Sequence, residues 1–111
     1  VAGMIRSFSY AAYSALLAYS ARRPDDAERL EPWARLWEHA VSAAFLHSYR
    51  TAAAGAPFLP ADRLAFQRLL EVFLLDKALY ELRYELNNRP SWVRIPLRGI
   101  LSLDLGGAGR L

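Results

Sequence analysis

The chain has 111 residues, 54% hydrophobic and 23% charged, a balance typical of one globular domain. Cysteine is absent, which excludes disulfides and thiolate metal sites, and no apolar run is long enough to span a bilayer. The net charge is +3, but the basic residues are scattered along the sequence, so we expect no nucleic acid partner. The sequence does not open with a charged segment followed by an apolar one, so we expect a cytoplasmic protein without membrane partners.

Alanine, leucine and arginine dominate the sequence, which favours helices over strands. The first helix is predicted from Val1 to about Ala21. No capping residue precedes it, so we expect either a chain cut from something longer or a terminus that frays. The residues predicted to line its buried face recur at three- and four-residue intervals: Met4, Ile5, Phe8, Ala12, Ala15 and Tyr19.

The second helix is predicted to begin near Asp25 or Asp26, or to restart at Pro32, and to run to about Ala54. The residues 22–26 (RRPDD) separate it from the first helix. Its apolar face is predicted to contain Leu30, Trp33, Trp37, Val41, Ala44 and Ser48.

The third helix is predicted from Pro60 or Asp62 to Asn87 or Asn88, and two stripes run along it. One is a regular leucine-rich stripe that we expect in the core: Val72, Leu75, Leu79, Leu82 and Leu86. The other is displaced by more than a quarter-turn: Phe73, Lys77, Tyr80 and Tyr84. Because the helix is apolar nearly all round between residues 69 and 75, we expect it to lie centrally.

A short fourth helix is predicted from Pro96, and residues 106–111 are predicted to be a disordered tail. The predicted fold is therefore all-α, a small bundle of three long helices and a short C-terminal helix. It forms a single helical subdomain over residues 1–105.

Few residue patterns indicate chemistry. The glycine-rich residues 106–109 lack the strand, helix and Lys-Ser/Thr ending of a phosphate-binding loop. His39 and His47 are eight residues apart, not at zinc-chelating spacing, so we predict one surface and one half-buried histidine and no metal site. Glu81 and Glu85 lie one helical turn apart and are interpreted as structural residues of a solvated face, with Lys77 a candidate partner of Glu81. We predict no catalytic residue in this chain.

Lys77, Tyr80 and Tyr84, which we call the tyrosine stripe, form the candidate substrate-binding site. Their spacing of i, i+3 and i+7 points the three side chains the same way on a helix. Tyrosine offers an apolar ring face and a hydroxyl to a sugar, and an ammonium donates three hydrogen bonds. An aromatic stripe is more often core, with a lysine that extends past it to solvent, so that interpretation stays open.

Two segments resemble the C-terminal part of bacterial maltokinases, including kinase regions fused to trehalose synthases. Residues 74–90 (LLDKALYELRYELNNRP) resemble the family's C-terminal signature, and residues 92–101 (WVRIPLRGIL) its closing segment. Residues 1–12 (VAGMIRSFSYAA) resemble the helix that follows the kinase's metal-binding aspartate. Ser91 departs from the family, which often has an acidic residue at that position. Residues 21–59 add little to the resemblance.

The resemblance implies the C-terminal subdomain of a kinase-like C-lobe, related to aminoglycoside phosphotransferases. In that family ATP and Mg²⁺ are used to make maltose 1-phosphate from maltose. The catalytic aspartate, the magnesium ligands and the nucleotide lobe would belong to an N-terminal kinase portion that this chain lacks, so the chain would hold no cofactor and be inactive alone. By matching position, Lys77, Tyr80 and Tyr84 would contact maltose.

Two alternatives remain. The chain could be a non-catalytic helical module whose tyrosine stripe serves protein contacts, or the equivalent part of a kinase for another small acceptor, such as an aminoglycoside or choline. If the chain is part of a maltokinase, the apolar surface that the N-terminal kinase portion would cover could allow the chain to self-associate.

Overall fold

The computed structural model describes residues 1–103, and over that range it is an all-helical bundle. The helices are α1 (Ala2–Arg22), α2 (Ala27–Ala52), α3 (Arg63–Asn88) and α4 (Arg94–Leu101). Single 3₁₀ turns at Pro24–Asp26 and Pro90–Trp92 precede α2 and α4. The predicted three long helices and short fourth helix are confirmed. The predicted tail at 106–111 lies outside the described residues.

Local sequence signals explain where α3 begins and how the chain leaves α2. Helix α3 begins after Asp62, whose side-chain carboxylate accepts a hydrogen bond from the backbone N–H of Ala65 at 2.8 Å. After α2 the chain turns at Gly55, which has a φ of 80°, a conformation that glycine adopts without steric cost. Pro32 lies inside α2, so the predicted restart of that helix at Pro32 is wrong.

Helix α1 is the centre of the bundle and contacts α2, α3 and α4. Helix α4 also packs on α3. The prediction that the third helix lies centrally is therefore wrong. Its apolar circumference between residues 69 and 75 is only partly covered, and Leu69, Val72 and Phe73 remain exposed.

The buried face of α3 differs from the predicted leucine stripe. Val72 is 61% exposed, and Leu79 and Leu86 are also exposed. The residues of α3 that are buried are Phe66, Ala78, Glu81 and Glu85. Ala78 leaves room for a neighbouring helix, and the two carboxylates find cationic partners at the interface. The leucine stripe prediction is therefore wrong at three of its five positions.

The predicted faces of α1 and α2 are also only partly buried. Ala12 of α1 is buried, whereas Met4, Ala15 and Tyr19 are exposed. Trp33 and Trp37 of α2 are exposed, and no residue within α2 is fully buried. Despite this apolar surface, none of the helices in residues 1–103 has both the length and the apolar content to cross a membrane.

Candidate functional site

The tyrosine stripe lies on an exposed side of α3. Tyr80 is 65% exposed and Tyr84 45% exposed, and Lys77 is exposed as well. The carboxylates of Glu81 and Glu85 are buried roughly a quarter-turn further round the helix. One face of α3 is therefore fixed in the bundle while the adjacent face presents two phenols and an ammonium to solvent.

Each tyrosine of the stripe lies beside a cation. The Lys77 Nζ is 5.6 Å from the centroid of the Tyr80 ring, and the Arg89 Cζ is 5.6 Å from the centroid of the Tyr84 ring. Such contacts at exposed positions contribute about 0.5–1 kcal/mol each. The structure brings Lys77 and Tyr80 together as predicted from their spacing, and it places Tyr84 one turn further along with Arg89.

An apolar groove of about 440 Å³ begins at Lys77 and Asp76 and runs away from the two tyrosines. Phe73 and Leu69 line it from α3, and Phe58 lines it from the segment before α3. Tyr80 and Tyr84 do not line the groove. The tyrosines are thus an open surface next to the groove and not its walls.

A buried ion pair connects α3 to α1. The Arg6 Nε donates to the Glu81 Oε1 at 2.9 Å, and the second contact of that guanidinium with Glu81 is 2.8 Å. Arg6 also donates to the hydroxyl of Ser9, and Ser9 donates to the carboxylate of Glu38 on α2. Because each partner is satisfied, the charges are tolerated at an interface that excludes most water.

A second buried carboxylate lies one turn along α3. Glu85 is 1% exposed and accepts two hydrogen bonds from Arg89, from Nε at 2.9 Å and from a terminal nitrogen at 2.6 Å. It also accepts a hydrogen bond from the hydroxyl of Tyr10 on α1 at 3.2 Å. The predicted solvated face of Glu81 and Glu85 is therefore wrong, and Arg6, not Lys77, is the partner of Glu81.

These carboxylates alter the acidity of their neighbours. Burial raises the pKa of the Tyr10 phenol above its ordinary value, and the negative charges of Glu81 and Glu85 raise it further. The hydrogen bond to Glu85 raises the pKa of the Arg89 guanidinium. Tyr10 and Arg89 are partners of the buried Glu85 that the sequence did not predict. The one sequence signal for these contacts was the spacing of Glu81 and Glu85, which we interpreted as a pair on a solvated face.

The other candidates are dispersed. His39 and His47 are both exposed, so the expected half-buried histidine is wrong. Residues 1–103 bring no three histidine, aspartate or glutamate side chains together in a group that could bind a metal ion. The glycine-rich residues 106–109 lie outside the described part of the chain.

The sequence matches no protein-family model, and no solved structure matches it.

Proposed function

We propose that this chain is the acceptor-sugar-binding, C-terminal subdomain of a maltokinase. The intact enzyme would transfer the γ-phosphoryl group of ATP to the anomeric hydroxyl of maltose in the cytoplasm, with Mg²⁺ and the nucleotide bound by an N-terminal kinase portion. The proposal rests on the resemblance of residues 74–90 to the family signature. It makes Lys77, Tyr80 and Tyr84 the sugar contacts.

One observation supports this assignment above the others: the tyrosine stripe is exposed. Had Tyr80 and Tyr84 been buried among α1, α2 and α4, no sugar would reach them. Their exposed rings can pack against the apolar face of a pyranose, and the Lys77 ammonium, beside the Tyr80 ring, can donate hydrogen bonds to sugar hydroxyls.

Two substitutions in the intact enzyme test the proposal. Lys77→Ala removes a charged hydrogen-bond donor, worth about 1.5–3 kcal/mol, so kcat/KM for maltose should fall about tenfold to a hundredfold. Tyr84→Ala should lower it about twofold to tenfold through lost ring contact. In both variants the KM for ATP should be unchanged.

The matched control is Arg68→Ala. Arg68 is exposed on the same helix and lies roughly half a turn from the tyrosine stripe, so maltose turnover should stay at the level of the unaltered enzyme. Full maltose turnover in the Lys77 and Tyr84 variants would refute the proposal. So would synthesis of maltose 1-phosphate from ATP, Mg²⁺ and maltose by this chain alone.

A helical protein-interaction module is the second candidate, and the exposed apolar side chains favour it. Trp33 and Leu36 on α2, together with Val72 and Phe73 on α3, offer the kind of surface that other proteins cover. Sedimentation of the purified chain would measure self-association. Loss of association in Tyr80→Ala and Tyr84→Ala, with maltose turnover unaffected, would favour this function.

A kinase for another acceptor is distinguished by a substrate panel. Under the maltokinase proposal, the enzyme phosphorylates maltose in preference to aminoglycosides and choline. Phosphorylation of one of those compounds, with the same dependence on Lys77 and Tyr84, would reassign the substrate while keeping the site.

A further inference from the structure

Arg89 follows the last residue of α3, and its side chain turns back along the helix. Its backbone N–H donates to the carbonyl oxygen of Glu85 at 2.8 Å, and Pro90 begins the next turn. The guanidinium then makes two hydrogen bonds to the Glu85 carboxylate, at 2.6 and 2.9 Å. Paired contacts of this kind fix the plane of an arginine as well as its position.

The carboxylate that holds Arg89 belongs to the bundle interior. Glu85 is buried, and the hydroxyl of Tyr10 donates to it from α1. Arg89 itself remains partly exposed. Its guanidinium is therefore attached on one edge to a fixed point of the α1–α3 interface.

The same guanidinium contacts two aromatic rings. Its Cζ is 4.1 Å from the Trp92 ring centroid and 5.6 Å from the Tyr84 ring centroid. A planar guanidinium can form hydrogen bonds at its edge while its face stacks on aromatic rings, which a lysine ammonium cannot do. The Tyr84 ring thus lies against a cation that is fixed by a buried carboxylate and by Trp92.

Tyr80 is held differently. Its neighbouring cation is Lys77, which is exposed and makes no hydrogen bond or ion pair with the described residues 1–103. A flexible lysine of this kind does not restrict the ring beside it. The two tyrosines of the stripe therefore differ, because one is attached to the core and the other is not.

We propose that Arg89 is a positioning residue that holds the Tyr84 ring in one orientation for the sugar. This inference rests on the proposed function, which supplies the ligand. In this proposal the Tyr84 ring already has its binding orientation before the sugar arrives, whereas the Tyr80 ring changes its orientation when the sugar binds. Arg89 acts on the sugar through Tyr84 and not by direct contact.

The first test needs no ligand. NMR order parameters of the tyrosine ring C–H groups are measured in the chain and in Arg89→Lys, which keeps a cation near Glu85 but loses the planar contact. The order parameter of Tyr84 should fall while that of Tyr80 is unchanged. Arg68→Lys, the matched control roughly half a turn round α3 from the tyrosine stripe, should alter neither ring. An unchanged Tyr84 in Arg89→Lys would overturn the positioning role.

A double substitution keeps the test decisive if Arg89→Lys does not fold. In Glu85→Gln with Arg89→Gln neither member of the pair leaves the other as an unpaired buried charge. The same selective loss of order at Tyr84 is expected there. Equal mobility of Tyr84 in this variant and in the unaltered chain would refute the inference.

The second test measures coupling in the intact enzyme. Arg89→Lys should raise the KM for maltose about twofold to fivefold, the effect of losing one cation–ring contact, without changing the KM for ATP. In a Tyr84→Ala background the same substitution should have no further effect on the KM for maltose. An equal increase in both backgrounds would show that Arg89 does not act through Tyr84.

The two proposals fail in different ways. If Tyr84→Ala leaves maltose turnover unchanged, the sugar-binding function is wrong and the positioning role loses its ligand. If Tyr84 matters for maltose but Arg89→Lys contributes independently, the function stands and only the positioning role is wrong.

Discussion

Replacing Gly99 with alanine should destabilise the bundle, although the substitution improves helix propensity. A methyl group at Gly99 would lie 2.8 Å from the Arg6 Cζ and nearer still to one terminal nitrogen of that guanidinium. Arg6 is only 6% exposed and is held by Glu81 and Ser9, so it cannot swing into solvent without breaking those contacts. The guanidinium must shift by roughly 1 Å, to ordinary van der Waals distance.

The magnitude follows from two opposing effects. Breaking a buried ion pair by removing one partner costs about 3–5 kcal/mol, and a displacement that keeps both charges in place should cost about half of that. Alanine in place of glycine in a helix contributes about 0.5–1 kcal/mol in the opposite direction. We therefore expect Gly99→Ala to lower the free energy of unfolding by about 0.5–2 kcal/mol.

Gly3→Ala is the matched control. Gly3 also lies in a helix, but an added methyl group there would meet no atom within 4 Å. This substitution should raise the free energy of unfolding by up to about 1 kcal/mol. Urea titrations followed by helical circular dichroism measure both variants. If both raise the stability equally, the close packing of Arg6 against Gly99 does not exist as described.

Three further predictions concern side chains of the same bundle. Glu81→Gln should lower the free energy of unfolding by about 3 kcal/mol in urea titrations because Arg6 loses its anion, and the double variant Arg6→Met with Glu81→Leu should recover most of the loss. Asp62→Ala should cost about 1 kcal/mol in the same assay through the lost helix cap, with Asp62→Asn close to the unaltered chain. Because folding raises the pKa of Tyr10, stability is full below the ordinary tyrosine pKa and falls as pH rises above about 10. The free energy of unfolding should fall by at most about 1.4 kcal/mol per pH unit, and by less where solvent screens the phenol. In urea titrations across alkaline pH, this fall should be smaller in Tyr10→Phe and unchanged in Tyr19→Phe.

The helices were predictable because their signals are local. Composition indicated an all-α chain. Asp62 indicated the start of α3, and the residues from Asn87 to Pro90 indicated its end. The exposure of the tyrosine stripe was left open by the sequence, because i, i+3, i+7 spacing describes a core stripe equally well.

The faces of α3 were not predictable from periodicity. A leucine stripe beside two glutamates indicates leucines inside and carboxylates outside. The structure reverses this because Glu81 meets Arg6, a residue 75 positions away, and Glu85 meets Tyr10 at the same separation. Arg89, just after α3, also binds Glu85, but the arginine and the phenol that complete the burial of the two carboxylates come from α1. No pattern within α3 contains that information.

The separation between Arg6 and Glu81 also has a consequence for the order of folding. Helices α1 and α2 are joined by a short turn and can pair early, whereas the partner of Arg6 arrives only with α3 and its carbonyl acceptor at Ile95 only with α4. The contact between Arg6 and Glu81 closes a loop of 75 residues, which forms slowly compared with the α1–α2 hairpin. Until it closes, Arg6 stays hydrated and the α1–α2 pair has an incomplete core. We therefore expect docking of α3 and α4 to limit the rate at which this chain folds.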